Sequence, residues 1–330
     1  MGGNMKHITK ILCLTFGIIL TVSTGCNRGP ADERPQIALI PKGTTHEFWQ
    51  SIHAGGREAA EEADVRLLWR GPLREDDRNA QIETVENMIN LGVDAIVLAP
   101  LDNVALQTPV RQAVAAGIPV VIIDSDLEGD AHIAFVATDN RAAGERGGHH
   151  LAELLEESGR VIMLRYQEGS ASTMHREQGF LDAMEQYPNI TVVSANQYGG
   201  ATTETAYQAS ENLLAPLHAD GGLSIDGIFC PNESTTFGML RALQDGGLAG
   251  SVHFVGFDSS DQLVHALQTG QLHGLVLQDP IRMGYLGIQT AVAALRDEPF
   301  ESEIDTGSVV ATPDNLSDET IRSLLGLDEE

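Results

Sequence analysis

Short apolar runs alternate with longer amphipathic stretches along nearly all of this 330-residue chain, and this alternation limits what it can fold into. Most runs are continuously Val, Ile and Leu, which is typical of parallel strands covered on both faces. Strands are predicted at residues 37–40, 65–69, 95–99, 120–124, 133–137, 160–164, 191–195, 227–230, 253–257, 274–278 and 308–312. Because helical patterns fill the gaps between them, the sequence predicts an α/β fold with doubly wound parallel sheets.

A weak internal repeat indicates two such units. VDAIVLAPLDN, a helical stretch and AAGIPVVIIDSD (93–126) are matched in order by IDGIFCPNEST, a helical stretch and DGGLAGSVHFVGFDSSD (225–261). In each copy a buried strand ends in an aspartate, Asp124 in the first and Asp258 in the second. Since the chain is also long for one hydrophobic core, we expect two similar lobes.

The two aspartates are candidate ligand contacts because ligands of open α/β sheets bind outside the carboxyl ends of the strands. The alternative is that each merely caps the following helix. Their equivalent positions in the repeat favour a facing pair, Asp124 and Asp258, in one cleft between the lobes. An ionised carboxylate accepts hydrogen bonds from neighbouring hydroxyl groups, so an uncharged, polyhydroxylated ligand is expected.

The turn after the first strand is predicted to supply aromatic contacts. In PKGTTHEFWQSI, Thr44 and Glu47 have capping-box spacing, which predicts a helix beginning near His46. Phe48 and Trp49 then lie in its first turn, where an aromatic face suits the C–H side of a sugar ring, although one of them could pack into the core instead. No G-x-G-x-x-G follows the strand, so a dinucleotide is disfavoured and no cofactor is expected.

Four further polar residues occupy comparable places. Asn232 and Glu233 follow GIFCP, Gln278 ends GLVLQ, and Arg176 follows the loop QEGSASTMH. Amides both donate and accept hydrogen bonds and Arg donates a fork, which is the mixed chemistry that hydroxyl groups require. A helix cap or a surface position is the alternative for each.

The N-terminal segment predicts export. Two lysines precede the apolar run 11–22, and STGC follows it, which is typical of a signal peptide at 1–25 and a polar tether at 26–35. The Gly-Cys pair resembles a bacterial lipobox, in which Cys26 would carry the lipid anchor; plain cleavage and secretion is the alternative. The apolar run is shorter than the about 20 residues that a membrane span needs.

Composition and motifs disfavour other classes of protein. The chain has 20 Lys and Arg against 47 Asp and Glu, so a nucleic-acid partner is not expected. No G-x-S-x-G elbow is present. The adjacent His149 and His150 are predicted to point to different faces of a helix, so no metal site is expected. The sequence therefore favours a binding protein over an enzyme.

The motifs taken together resemble a known family. HEFWQSI, GVDAIVLAPLDN, AGIPVVIIDSD, FVATDN, HREQGF, GIFCPNE, FGMLRALQDGG, VGFDSSD and LVLQDP, in this order, resemble bacterial periplasmic sugar-binding proteins of the ribose-binding type. The resemblance covers nearly all of residues 36–320. It implies a type I two-lobed fold with a three-crossover hinge, with one lobe at 36–138 plus 279–307 and the other at 139–278 plus 308–330. A related repressor family shares this core, but a DNA-binding helix-turn-helix precedes it there.

The resemblance also implies a role and a set of contacts. A protein of this type is a periplasmic monomer that delivers a sugar to an ABC permease in the membrane. The implied contacts are Phe48 and Trp49 as stacking aromatics, Asp124, Asn232 and Asp258 for hydroxyl groups, Gln278 at a crossover, and Arg176, or Met174 if the alignment slips. His46, Ser125 and Asp126 complete the predicted set.

Departures from the family pattern bear on the ligand. Ala99-Pro100 and Asp124-Ser125 stand where ribose receptors carry Asn-Pro and Asp-Arg, which disfavours ribose itself. The DSD segment and WRGP (69–72) look more like receptors for rhamnose or autoinducer-2. The alternatives to sugar import are a receptor for such a furanosyl signal and a ligand sensor for a membrane kinase or chemoreceptor.

Overall fold

The computed structural model describes residues 1–2, 33–219 and 221–327. Arg34–Glu330 forms one compact unit, to which the description below refers. Cys26, most of the predicted export signal and most of the predicted tether lie outside the described residues. Within the described part of the chain, no helix is long and apolar enough to cross a membrane.

The unit contains alternating strands and helices. The strands are β1 (Gln36–Ile40), β2 (Arg66–Trp69), β3 (Ala95–Leu98), β4 (Val120–Ile123), β5 (Ala134–Ala137), β6 (Ser158–Arg165), β7 (Asn189–Tyr198), β8 (His218–Ala219), β9 (Gly222–Leu223), β10 (Gly227–Phe229), β11 (His253–Phe257), β12 (Gly274–Gln278), β13 (Glu303–Asp305) and β14 (Ser308–Ala311). The helices are α1 (Glu47–Ala63), α2 (Arg78–Leu91), α3 (Gln107–Ala115), α4 (Asn140–Leu154), α5 (Ala171–Met184), α6 (Thr203–Leu214), α7 (Glu233–Asp245), α8 (Asp261–Gln268), α9 (Pro280–Leu295) and α10 (Glu319–Leu324), with a 3-10 turn at Ala215–Leu217.

Two six-stranded sheets have the same arrangement. Their strand orders are β2-β1-β3-β4-β5-β13 and β7-β6-β10-β11-β12-β14. Pairing is parallel throughout both sheets except between β12 and β14, which are antiparallel. The repeated order confirms the predicted fold of two similar doubly wound lobes. We call the sheet that contains β1, with its packed helices, the first lobe. The sheet that contains β6, with its packed helices, is the second lobe.

Each sheet is buried on both faces, which explains the continuously apolar runs. Successive side chains of a strand point to opposite faces. In β1, Ile37 and Leu39 therefore join the core under α1 and α9, whereas Ala38 and Ile40 join the core under α2 and α3. The second lobe repeats this arrangement, with α4 and α5 on one face of its sheet and α6, α7 and α8 on the other.

The chain passes between the lobes three times. The passages lie between β5 and β6, between β12 and β13, and between β13 and β14. The lobe boundaries given above, 36–138 plus 279–307 and 139–278 plus 308–330, stay a prediction.

The structure also contains strands that the sequence patterns do not predict. β13 adds to the edge of the first sheet beside β5, and β8 and β9 form a short antiparallel pair. β13 reads Glu-Ile-Asp and two of its three residues are exposed. Because β13 is a short strand at the sheet edge with exposed first and last residues, it leaves no apolar run in the sequence.

Candidate functional site

A narrow cavity of about 30 Å³ lies between the two lobes. This volume is far below the roughly 300 to 1,000 Å³ of small-molecule sites, so the lobes must move apart to admit a small molecule. It is lined by Lys42, His46, Phe48, Trp49, Glu75, Asp124, Tyr166, Ser170, Ser172, Thr173, Arg176, Asn232, Glu233, Asp258 and Gln278. Because the lining is mostly polar and comes from both lobes, we take this cavity as the candidate site.

Asp124 and Asp258 reach the cavity through the same backbone device. Each follows the last residue of a buried strand in the left-handed conformation, with φ of 61° at Asp124 and 64° at Asp258. Each backbone N–H donates to the neighbouring strand, to Val136 O at 3.1 Å and Val276 O at 2.9 Å respectively. Asp tolerates this conformation better than most residues, since its short side chain can form local hydrogen bonds.

The alternative that these aspartates cap the following helices is wrong. The N-cap of α8 is Ser260, whose side chain accepts a hydrogen bond from Leu263 N. A long loop follows Asp124, and the next helix, α4, is capped by Asp139.

Asp124 forms a buried ion pair with a lysine that the sequence patterns do not single out. Lys42 Nζ lies 2.8 Å from Asp124 Oδ2, and both side chains are nearly inaccessible. The same ammonium group donates to Ser170 Oγ at 3.2 Å and Ser172 Oγ at 2.9 Å on the second lobe. Lys42 thus connects the carboxylate to the opposite wall of the cavity.

Asp258 is surrounded by hydrogen-bond donors. Its Oδ1 accepts from Gln278 Nε2 at 2.7 Å, its Oδ2 accepts from Glu233 N at 3.2 Å, and Arg176 Nη1 lies 3.8 Å from Oδ2. Burial raises the pKa of Asp258, and the Arg176 guanidinium opposes this shift. The protonation of this carboxyl group therefore depends on the charges and dipoles that occupy the cavity.

Arg176 is held in place by neutral groups. Its Nε donates to Asn140 Oδ1 at 2.7 Å and its Nη1 donates to Pro231 O at 3.0 Å. The guanidinium also lies over the Phe257 ring, 4.3 Å from the centroid. With Asp124 at 4.0 Å, the cation lies near both of the paired aspartates.

Glu75 is the centre of a second buried group. Its carboxylate lies 2.7 Å from His46 Nδ1 and accepts hydrogen bonds from Trp49 Nε1 at 2.7 Å and from Tyr166 OH at 2.6 Å. Burial disfavours the charged imidazole, but the Glu75 carboxylate outweighs burial and raises the pKa of His46 to about 9. Burial likewise disfavours the Glu75 carboxylate, yet His46 and the Tyr166 hydroxyl lower the pKa of Glu75 to about 2.

The predicted capping box at the start of α1 is wrong, although the helix begins where expected. The N-cap is His46 and it makes no side-chain capping bond. Its ring faces Glu75 instead, and Thr44 Oγ1 donates to Pro72 O at 3.3 Å. Trp49 is only 2% exposed and belongs to the first-lobe core, as expected if one of the two aromatic residues packs inward. It also lines the cavity.

Eight of the ten predicted contacts line the cavity, and two do not. The eight are His46, Phe48, Trp49, Asp124, Arg176, Asn232, Asp258 and Gln278. Beyond the turn at Asp124, Ser125 Oγ accepts a hydrogen bond from Ser172 N at 3.1 Å, and Asp126 Oδ1 accepts from Leu127 N at 2.7 Å. Met174, the alternative to Arg176, is 43% exposed and does not line the cavity. The roles of the lining residues as ligand contacts stay predictions.

Asn232 combines the two roles considered for it. Its Oδ1 caps α7 by accepting from Thr235 N at 3.3 Å and from Thr235 Oγ1 at 2.6 Å. Its amide nitrogen donates to Ser234 Oγ at 3.1 Å. The side chain lines the cavity at the same time.

Sequence reasoning missed several lining residues. They are Lys42, Glu75, Tyr166, Ser170, Ser172 and Thr173. Lys42 and Tyr166 each follow the carboxyl end of a buried strand, and that position was the usable signal. Glu75 lies in a loop far from any strand end, and no pattern marks it.

The adjacent histidines His149 and His150 do not line this cavity. His149 Nδ1 bonds Tyr187 OH at 2.8 Å and His150 Nε2 bonds His273 O at 3.1 Å, so the adjacent pair faces two different neighbours. Among the residues that the structure describes, no group of three or more His, Cys, Asp or Glu side chains is arranged to hold a metal ion.

Comparison with known proteins identifies the family. The family model described as a periplasmic binding protein domain matches residues 37–299. The chain belongs to this family. As a periplasmic binding protein it is an exported binding protein and not an enzyme, as the sequence predicted.

Similar proteins support the membership. The D-ribose/D-allose-binding protein of Pseudomonas aeruginosa is 32% identical, over 86% of this chain and 89% of that protein. A carbohydrate transporter solute binding protein from Agrobacterium radiobacter, solved in complex with D-arabinose, is 33% identical with a TM-score of 0.84, over 89% of this chain and 99% of that one. An ABC transporter solute binding protein from Agrobacterium vitis with bound D-fucose is 35% identical with a TM-score of 0.83, over 88% and 99%. The two solved proteins share the fold of this chain.

Proposed function

We propose that this protein captures a sugar or sugar-like polyol between its two lobes and delivers it to an ABC importer. The observation that carries the proposal is the pair of strand-end carboxylates, Asp124 and Asp258, which come from opposite lobes and line one buried cavity. The names of the similar proteins, which bind ribose, allose, arabinose and fucose, support the ligand class. They favour import over the sensor alternatives.

The lining suits a neutral ligand with many hydroxyl groups. Lys42 faces Asp124, His46 faces Glu75 and Arg176 faces Asp258, so these charges largely compensate one another. Carboxylates, amides and hydroxyl groups then offer both acceptors and donors. The Phe48 ring completes the lining with an apolar face.

The proposed mechanism is closure of the lobes around the ligand. A ligand that contacts both lobes binds the closed form preferentially and shifts the equilibrium toward it. The importer permease would recognise the closed shape. The hinge would consist of the three passages at the predicted boundaries 138/139, 278/279 and 307/308.

The cellular arrangement completes the proposal. The export signal at 1–25 would be removed, and Cys26 would carry a lipid that holds the protein at the membrane, close to the permease. The protein would act as a monomer, since one chain supplies both walls of the cavity.

The proposal is tested by a thermal-shift screen of the mature chain against pentoses, hexoses, deoxyhexoses and polyols. A ligand that binds only the native state raises the melting temperature. Asp124→Asn and Asp258→Asn should each weaken the best ligand roughly tenfold or more, since a charge-assisted hydrogen bond contributes about 1.5 to 3 kcal/mol. Asp130→Asn, an exposed acid on the neighbouring loop, is the matched control and should bind normally. Full affinity in the Asp124→Asn, Asp258→Asn double variant would contradict the proposed site.

A further inference from the structure

Glu233 lines the cavity, but its carboxyl group takes no part in the ion pairs of the lining. The lining contains three cations and four carboxyl groups. Each cation has a carboxylate within 4 Å: Lys42 has Asp124 at 2.8 Å, His46 has Glu75 at 2.7 Å, and Arg176 has Asp258 at 3.8 Å. Within the described part of the chain, the fourth carboxyl group, that of Glu233, forms no ion pair.

Glu233 is fixed at the cavity wall by its backbone. It is the first residue of α7, and its N–H donates to Asp258 Oδ2 at 3.2 Å. Its Oε2 is buried and has no hydrogen-bond partner among the described residues. Gln278 Oε1, also on the lining, is buried and unpartnered in the same way. Asp124 Oδ2 is a third such atom on the lining, but it faces the Lys42 ammonium group at 2.8 Å. Because buried polar atoms are normally hydrogen-bonded, the other two indicate places for ligand atoms.

The surroundings of Glu233 favour its neutral form. Burial raises the pKa of Glu233 to about 8; His46, before α1, opposes the shift, whereas Asp258 after β11, Glu75 in the β2–α2 loop and Glu47 on α1 reinforce it. A carboxyl group with this pKa is protonated at neutral pH and carries an O–H donor. Gln278 Oε1 can only accept, so the two free positions are complementary.

We propose that Glu233 is a specificity-determining contact whose protonated carboxyl group donates a hydrogen bond to an oxygen atom of the neutral ligand, while Gln278 Oε1 accepts one from a ligand hydroxyl group. This role presupposes the sugar-binding function proposed above. Ionisation of Glu233 would place an uncompensated negative charge in a buried cavity, which disfavours binding of an uncharged ligand. Uptake of a neutral sugar would therefore weaken in alkaline conditions.

A ligand with a protonated amino group would make the opposite use of Glu233. An ammonium group would pair with the ionised carboxylate, and its affinity would rise as Glu233 loses its proton. The sign of the pH dependence thus separates a neutral sugar from an amino sugar.

The experiment is isothermal titration of the best neutral sugar from the screen between pH 6 and pH 9.5. Wild-type affinity should fall about tenfold per pH unit above about pH 8, because only protonated Glu233 binds. Glu233→Gln keeps a donor that does not titrate, so it should bind well and lose this slope. Glu233→Ala should bind roughly tenfold or more weakly at pH 6. Glu86→Gln, which removes an exposed acid on α2 that is not among the groups acting on Glu233, is the matched control and should follow the wild type.

Several outcomes would overturn the role of Glu233. One is an unchanged pH slope in Glu233→Gln, which would assign the titration to His46. Another is wild-type affinity in Glu233→Ala at pH 6, with circular dichroism confirming that each variant is folded. A third is an amino sugar that binds more tightly than every neutral sugar and more tightly still as the pH rises through 8, which would replace the donor role of Glu233 with that of a counter-ion. Failure of the wild type to bind any sugar at any pH would instead contradict the proposed function, and the role of Glu233 with it.

Discussion

Glu75 connects three side chains that lie far apart in the sequence. It accepts hydrogen bonds from Trp49 and Tyr166 and pairs with His46, and it is only 6% exposed. Such a buried carboxylate is stable only because its partners compensate for lost hydration. The pKa shifts of this pair therefore imply a pH-dependent contribution to stability.

We expect Glu75→Gln to lower the free energy of unfolding by roughly 3 to 5 kcal/mol near pH 6, since it leaves His46 without its counter-ion. The lowered pKa of Glu75 gives stability that is complete above pH 4.5 and lost as the pH falls toward 2. The raised pKa of His46 gives stability that is complete below pH 6.5 and lost as the pH rises toward 9. The difference between wild type and variant should thus be largest between pH 4.5 and 6.5.

Urea unfolding at several pH values measures this difference. Glu86→Gln, an exposed acid on α2, is the control and should change stability by less than about 0.5 kcal/mol. A difference that stays constant from pH 5 to pH 9 would show that the His46–Glu75 pair does not titrate as described.

At the scale of elements, glycines allow α4 and α5 to pack with their backbones in contact. A Cβ atom at Gly144 on α4 would lie 2.0 Å from Arg176 O on α5, and one at Gly179 on α5 would lie 2.0 Å from Arg141 O on α4. Neither position requires a left-handed backbone, so the constraint is space alone. Because α5 carries Arg176, this contact sets the depth at which the guanidinium enters the cavity.

We expect Gly144→Ala to destabilise the protein by about 1 to 3 kcal/mol, because the added methyl group forces α4 and α5 apart. The displacement of α5 should also weaken ligand binding through Arg176. Unfolding and titration experiments measure both effects. Gly222→Ala is the control, since its nearest neighbour atom is 4.0 Å away. An unchanged free energy of unfolding in Gly144→Ala would contradict this prediction, because it would show that α4 and α5 can move apart without destabilising the protein.

At the scale of the whole molecule, the two lobes contact each other directly around the cavity. Tyr166 OH donates to Glu75 at 2.6 Å, Gln167 Nε2 donates to Glu75 O at 3.0 Å, and Asn103 N donates to Gly169 O at 2.9 Å. The structure is thus a closed arrangement, held partly by bonds that involve no ligand. These bonds contribute to the population of the closed form before any ligand binds.

We expect Tyr166→Phe to shift the ligand-free protein toward the open form, because it removes a cross-lobe hydrogen bond to a carboxylate. A loss of about 1.4 kcal/mol would lower the closed-to-open ratio tenfold. Small-angle scattering should report a larger radius of gyration without ligand and a return to the wild-type value at saturation. Tyr187→Phe, distant from the cavity, serves as control. Identical scattering of the Tyr166→Phe variant and wild type would show that this bond does not influence closure.

The sequence by itself determined the architecture and the two principal acids. Strands that are buried on both faces have continuous apolar runs, and these runs predicted them. The edge strand β13 reads Glu-Ile-Asp and could not be predicted in this way. Repetition of the strand-end aspartate predicted that Asp124 and Asp258 share one cavity.

Only the tertiary structure decided how the charges of the cavity are paired. Lys42 and Asp124 come from different strands, and Glu75 and Tyr166 from different lobes, so no local spacing relates them. The structure also leaves Ser125 and Asp126 out of the cavity lining, since Ser125 accepts a hydrogen bond from Ser172 N and Asp126 accepts one from Leu127 N. Local patterns record which faces are buried, but the partner of a buried charge is set by residues that folding brings together from distant parts of the chain.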